Sequence, residues 1–320
     1  MNNIEDMKKN GTLNRNILFA LLIVEIIVFS LLSAYFMTVK NIMSIGLNTS
    51  VLGLVAIGQT LCIITSNFDL SCGNTAAFTG FMSAFFFQNM KLPFAVSFLL
   101  AMLIAALIGL VNGLFITKLK ISAFITTMAT NFILGGMLVL VSHGQAIIVS
   151  DKSYGLLGKT TLTPLRFTLP MLIMFVFFFA FAWILKNTVF GRRLYCVGGN
   201  TQAARISGIN IDNVHILTFV LSALLSGFAG IVLASRMNAA QITVGSTYSM
   251  ESIAAAVLGG TALSGGTGTM IGTFIGVLVT GILSNGLTMI GTSQAWRDIA
   301  TGLLLLFAII LQNSSRKDKN

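Results

Sequence analysis

Six polar residues stand inside or at the edges of long apolar runs: Asp69, Ser71, Asn74, Asn112, Asn131 and Asn285. A carboxylate among apolar residues is costly unless it is paired, hydrated or turned toward a cavity, so Asp69 leads the group. One reading gives it a place on a solute path or gate. The other makes Asp69 or Ser71 the cap of a helix beginning near Gly73, accepting backbone N–H bonds. The three asparagines Asn112, Asn131 and Asn285 offer uncharged donors and acceptors that a polyol can use, and such groups serve equally as interhelical hydrogen bonds. Glu25 and Glu251 also lie in apolar runs, and Glu251 opens one, where negative charge favours a helix N-terminus.

A different chemistry is carried by Gly198 to Asp212, a polar segment between two apolar runs. Asn200 is placed to cap a short helix, Thr201 to Ser207 supply about two turns, and Gly208 suits the left-handed residue that closes it. Ala203 and Ala204 leave one face nearly bare, so the helix can lie flush against a partner while Arg205 presents a planar donor fork to a carboxylate.

The elements that must position these residues are set by composition. Hydrophobic residues make up 55% of the 320 and charged ones 9%, against about 25% charged in an average soluble domain. Ten apolar runs are long enough, or nearly so, to cross a hydrocarbon core of about 30 Å. They fall near 17–37, 42–64, 73–88, 93–117, 122–141, 167–186, 214–235, 249–262, 270–291 and 296–312. The third and eighth are short and read as half-helices buried inside protein. The expected fold is therefore all-α, a polytopic membrane bundle of about eight to ten spans embedded in lipid. Residues 1–16 and 313–320 form its tails, and 17–312 a single transmembrane domain that includes a polar loop at 187–213.

With both ends in the cytoplasm, twelve of the 19 Lys and Arg residues fall on inner segments, among them Lys118, Lys120, Lys186, Arg192, Arg193 and Arg205. That asymmetry fits the positive-inside bias. The bases sit singly at the ends of apolar runs, unlike the clustered face of a nucleic-acid binder. The first run retains Glu25 and lacks a small-residue cleavage site, so it reads as a span and not as a signal peptide. Three cysteines give no disulfide framework, and no metal, cofactor or covalent enzyme site emerges.

Two motifs mislead. Gly158-Lys159-Thr160 ends like a P-loop, but Ser153 stands where its first Gly is needed, and Leu263-Ser264-Gly265-Gly266 has no nucleotide-binding domain around it. The glycines have a simpler use. Gly268, Gly272 and Gly276 recur every four residues, as do Gly109 and Gly113, which predicts helix faces that approach closely. Gly259-Gly260 and Gly265-Gly266 are places where a helix can break.

Gln202-Ala203-Ala204-Arg205-Ile206-Ser207-Gly208 resembles the E-A-A-x-x-x-G coupling loop of ATP-binding cassette importer permeases, with Gln in the Glu place. Gly191-Arg192, Gly198-Gly199-Asn200 and Ser207-Gly208-Ile209-Asn210 are similar to the same loop in the ribose-type sugar permeases. Thr65-Ser66-x-x-Asp69-Leu70-Ser71-x-Gly73 resembles that family's first signature. Ala254 to Thr261 with Gly265-Gly266 and Gly272-Thr273 resembles the second, and Asn285-Gly286-Leu287 falls where the family has N-N-G-L. Asn67-Phe68 stands where Gly-Ile is usual and Cys72-Gly73-Asn74 where Val-Gly-Ser is usual, which bears on the solute because both flank Asp69.

The resemblance implies a bacterial inner-membrane permease subunit, not itself an enzyme. It would couple through Gly191, Arg192, Asn200, Ala203, Ala204, Arg205, Ser207, Gly208 and Ile209 to a cytoplasmic ATP-binding cassette ATPase. It would also work with an extracytoplasmic solute-binding protein and a second copy or sister permease. The solute implied is a monosaccharide such as a pentose, with furanose-like signals and nucleosides open. A stand-alone ion- or proton-coupled carrier is the alternative class. It accounts for Asp69 but leaves the polar loop without purpose.

Overall fold

The computed structural model describes residues 18–162, 167–243, 245 and 247–317. Ten helices coincide with the ten apolar runs. They are α1 (Leu18–Leu32), α2 (Val39–Ile64), α3 (Cys72–Gln88), α4 (Phe94–Thr117), α5 (Ala123–Ser142), α7 (Leu169–Asn187), α10 (Ile211–Met237), α11 (Tyr248–Leu258), α12 (Met270–Met289) and α13 (Gln294–Lys317). Between α5 and α7 lies a small α6 (Leu156–Lys159), and between α7 and α10 lie α8 (Val189–Gly199) and α9 (Thr201–Ile206). The segment read as an N-terminal tail, 1–16, lies outside the described residues, and α13 continues through 313–317, where a C-terminal tail was expected.

Among the described residues six helices, α2, α4, α5, α7, α10 and α12, are long and apolar enough to cross a membrane. Their surfaces divide as a membrane protein requires. The outer helices α4, α5 and α7 leave Leu99, Leu103, Ile125, Phe132, Phe179 and Trp183 exposed, a belt that water would not tolerate and lipid does. Helix α2 is the opposite case, buried at every position from Thr49 to Ile64. That burial puts α2 at the centre of the bundle, where its buried Thr60 Oγ1 lies 2.8 Å from Thr273 Oγ1 of α12. It packs against α10, α11, α12 and α7, while α10 also holds α3 and α4.

Small residues permit these contacts. A Cβ on Gly230 of α10 would strike the carbonyl of Ala76 on α3, and one on Gly113 of α4 would meet Ile216 Cα of α10 at 2.8 Å. Gly272 and Gly276 of α12 face the backbones of Gly259 and Ala255 at the same kind of distance. Gly268 does not share that face. It lies two residues ahead of α12, whose N-cap is Thr269, so the four-residue period runs across a helix start that spacing alone does not reveal.

The connection between α5 and α7 carries short strands. Its β1 (Ile147–Ile148) pairs antiparallel with β4 (Ala239–Ala240), and β2 (Thr161–Leu162) with β3 (Phe167–Thr168). Tyr154 is fully buried beneath it and its hydroxyl lies 2.7 Å from Ser83 Oγ of α3.

Helices α3 and α11, with 17 and 11 residues, are the two short runs, and their N-termini meet inside the bundle. Ser249 Oγ of α11 donates to Leu70 O at 2.9 Å and accepts from Gly73 N at 3.2 Å, and a Cβ on Gly73 would strike the carbonyl of Gly245. Such broken helices place backbone inside the membrane only where protein surrounds it.

Candidate functional site

Helices α8 and α9 form the polar projection. Thr188 caps α8 by accepting from Gly191 N at 3.2 Å, and a Cβ on Gly191 would collide with Leu185 O, which holds α8 tight against the end of α7. Asn200 caps α9 by accepting from Ala203 N at 2.9 Å. Gly208 closes it at φ +78°, with Gly208 N donating to Arg205 O at 3.0 Å and Ile209 N to Ala204 O at 3.0 Å. Ala204 is buried against the bundle, whereas Ala203, Arg205, Ser207 and Ile206 are exposed, Ile206 by 88%. Arg205 and Ile206 thus project away from the bundle. Arg192 is exposed on α8, one turn from the cap at Thr188.

Three chain segments meet beneath this projection. Helix α2 ends at Ile64, and Ser66 takes the left-handed conformation at φ 62°, its N–H donating to Ile63 O at 2.9 Å and that of Asn67 to Cys62 O at 3.0 Å. These bonds close the helix as a glycine-type cap does, with a serine in the strained place. Ser66 Oγ donates to Ser264 O at 2.8 Å and lies 3.3 Å from Gly198 O. Gly266 N donates to Ile64 O at 2.9 Å, satisfying one of the carbonyls orphaned at the end of α2. A Cβ on Gly198 would strike Ile64 O, and one on Gly266 would meet Gly199 Cα at 2.7 Å. Burial raises the Tyr195 hydroxyl, which stays protonated and donates to Gly268 O at 2.8 Å. The L-S-G-G loop is thus the joint between α8 and the break that separates α11 from α12.

Asp69 lies deeper, fully buried among α2, α3 and α10. Its Oδ1 accepts from Ser71 N at 3.0 Å and Ser71 Oγ at 2.6 Å, and its Oδ2 accepts from Ser222 Oγ of α10 at 2.7 Å. Gly58 of α2 approaches Ser222, so the carboxylate sits about 9 Å in from the end of α2, at 1.5 Å per residue. Ser71 in turn accepts from Asn112 Nδ2 at 3.0 Å, and Asn112 Oδ1 accepts from Thr130 Oγ1 at 2.6 Å. Asn74 Nδ2 donates to the backbone carbonyl of Asn131 at 2.8 Å. Five of the six candidate path residues therefore belong to one interhelical region joining α3, α4, α5 and α10. Ser222 was missed, although Ser222, Ser226 and Gly230 recur at four-residue spacing in α10, the signature of a close helix face.

Asn285 is separate from that network. Its amide and that of Asn41 on α2 donate to each other's Oδ1 at 3.1 Å in both directions. Asn285 borders a polar chamber of about 320 Å³ between α2, α11, α12 and α13. Asn48 and Ser44 line one wall, Ser284 and Thr288 another, with Glu251 at the first turn of α11 and Arg297 on α13. Asn48 is sixteen residues before Ile64, about 24 Å along α2, so the chamber and the polar projection occupy opposite halves of the bundle. Asn285 and Glu251 stand out in the sequence as polar residues of apolar runs, but their convergence with Asn48 and Arg297 is tertiary.

A multi-helix membrane bundle with a capped polar projection at one end and a polar chamber toward the other is built as a permease subunit. The family model described as branched-chain amino acid transport system / permease component matches residues 41–309, and the chain belongs to that family. It is a permease component of an ATP-binding cassette transporter, a non-enzymatic, multi-pass membrane subunit.

The chain is 36% identical over 297 residues to the ribose import permease protein RbsC of Escherichia coli strain K12, covering 92% of each. It is 37% identical over 298 residues to the Haemophilus influenzae protein of that name, again 92% of each. The L-arabinose transport system permease protein AraH of Escherichia coli strain K12 is 35% identical over 307 residues, 95% of this chain and 90% of the relative. No solved structure matches.

Proposed function

We propose that the chain is the membrane pathway of a binding-protein-dependent importer for a monosaccharide, a pentose such as ribose in the first instance. The observation that carries the reading is α9, a helix capped at both ends that holds Arg205 and Ile206 outward at the positions of the coupling motif. The near full-length similarity to permeases named for ribose and L-arabinose supports a sugar. A separate ATPase and a solute-binding protein then supply the energy and the selection.

Two copies of this chain, or one copy and a sister chain, enclose the path. Both termini and the coupling projection lie in the cytoplasm. The charge asymmetry supports this orientation, and so does the core cluster that joins Leu18 of α1 and Ala308 of α13 to Ile63 and Leu258, beside the joint at Ile64.

In operation, closure of the ATPase pair moves α9 and α8. Ser66, Gly198 and Gly266 pass that movement to α2 and to the break ahead of α12, which shifts α11. Asp69 acts in positioning, holding Ser71 at the start of α3 against Ser222 of α10. The test is loss of uptake in a strain lacking the chain, assayed with radiolabelled D-ribose, L-arabinose and D-galactose. Loss of one sugar, restored by the wild-type chain, supports the reading, and unchanged uptake of all three contradicts it.

A further inference from the structure

The chamber between α2, α11, α12 and α13 has a chemistry of its own. Glu251 stands at its floor, on the first turn of the half-helix α11, and Arg297 stands on its α13 wall. Arg297 Nη1 donates to Thr288 Oγ1 at 3.0 Å, yet its Nε is buried and has no partner. A guanidinium N–H shut away from water without an acceptor is costly, and an incoming oxygen removes that cost. Asn48 Oδ1 is occupied, accepting from Arg236 Nη1 at 2.8 Å, and the Asn285 amide is occupied by Asn41. Glu251 also accepts from Thr247 but as a carboxylate keeps further acceptor capacity, so with Arg297 and the hydroxyl of Ser284 it is best placed to take a guest.

Glu251 with Asp298 close by, and Arg297 with Arg236 held on Asn48, balance in charge and give no net field to favour an ion. They give acceptors on one side and donors on the other, which suits a neutral solute bearing several hydroxyls. The volume, about 320 Å³, is at the lower end of small-molecule sites and holds a single sugar ring. Charged groups so placed are expensive against lipid and acceptable only where water or a partner covers them.

We propose that this chamber is a transit subsite for a neutral monosaccharide, with Glu251 accepting from its hydroxyls and Arg297 Nε donating to its oxygens. The proposal rests on the importer reading above. It adds that the permease holds its solute at a defined place above α11, so movement of α11 by the coupling joint opens or closes the floor of the site.

The test uses the whole transporter, reconstituted with its ATPase and binding protein in lipid vesicles. ATP-driven uptake of D-ribose, L-arabinose and D-galactose is measured beside binding-protein-stimulated ATP hydrolysis. Arg297→Gln and Ser284→Trp are expected to lower uptake about tenfold or more, the factor that one charge-assisted hydrogen bond carries, while hydrolysis stays near wild type. Uptake at the wild-type rate in both variants overturns the subsite and leaves the importer reading standing. A wild-type complex that carries none of the three sugars overturns both.

Competition by excess L-leucine, with none by the sugars, overturns the class of solute, since a zwitterion would also engage an acid and a base. Ser284→Cys in a Cys196→Ser background guards against misfolding, because it is modified by a bulky, membrane-impermeant thiol reagent only after assembly. Modification is expected to stop uptake, and full modification without effect overturns the proposal.

Discussion

Ser66 Oγ donates to Ser264 O at 2.8 Å, tying the end of α2 to the loop that breaks the chain between α11 and α12. The same hydroxyl lies 3.3 Å from Gly198 O at the end of α8. One side chain therefore bridges the polar projection and the loop between α11 and α12. It does so from a left-handed backbone that costs a serine roughly 1–2 kcal/mol relative to glycine. The strain persists because the hydrogen bonds hold the conformation.

Ser66→Gly separates strain from linkage. Glycine relieves the backbone and loses the hydroxyl, so thermal stability in detergent is expected to hold or rise while sugar uptake per ATP hydrolysed falls. Ser66→Ala loses the bond and keeps the strain, so it is expected to lower both. Normal coupling in Ser66→Gly would remove the joint from the mechanism.

Gly208→Glu tests the projection itself. A residue with a Cβ at φ +78° disrupts the close of α9, and the added charge faces the proposed ATPase contact without a match. Membrane abundance is expected to be near normal, because an added Cβ at Gly208 meets no atom within 4 Å. Uptake is expected to be lost, with the ATPase no longer co-purifying or hydrolysing ATP without transport.

The fates of the polar residues show what was legible in the sequence. Asn200 and Gly208 are local devices, each acting within about one turn, so residue type and spacing sufficed to place them. The short runs at α3 and α11 were legible because length alone decides whether a helix can cross. Asp69 was ambiguous because its partner Ser222 lies 153 positions away, and Asn285 because its partner Asn41 lies 244 away. Gly268 was grouped with Gly272 and Gly276 because a period carries no mark of where Thr269 starts the helix. Tyr154 and the folded 144–168 segment gave no periodic signal, since their order comes from burial against Ser83 and from pairing with Ala239 and Ala240.

For Asp69, the hydrogen bonds set the expected order of variants. Asp69→Asn keeps an oxygen for Ser71 N and an amide able to donate to Ser222 Oγ, so abundance and uptake per molecule are expected to stay near wild type. Asp69→Ala leaves Ser71 and Ser222 without their acceptor in a fully buried site, a penalty of about 1–3 kcal/mol, and abundance is expected to fall. Loss of uptake in Asp69→Asn at normal abundance would instead assign the charge a role in the path.

Gly276→Leu tests the packing of α12 on α11. Even a Cβ at Gly276 would strike the carbonyl of Ala255, so the larger side chain must part the two helices. The expected result is a lower melting temperature in detergent and reduced yield, checked against Leu303→Ala on the exposed face of α13, which is expected to be neutral. A melting profile equal to wild type would mean that α11 and α12 do not touch there.

The central claim is that this chain is a passive pathway worked by a separate ATPase through α9. Uptake of D-ribose, L-arabinose and D-galactose into lipid vesicles measures it most directly, with the permease alone and with its ATPase and binding protein added, under ATP or under an imposed proton or sodium gradient. The account predicts accumulation only when ATP, ATPase and binding protein are all present, and none from ion gradients. Gradient-driven accumulation by the permease alone would contradict it and make the chain a self-sufficient carrier.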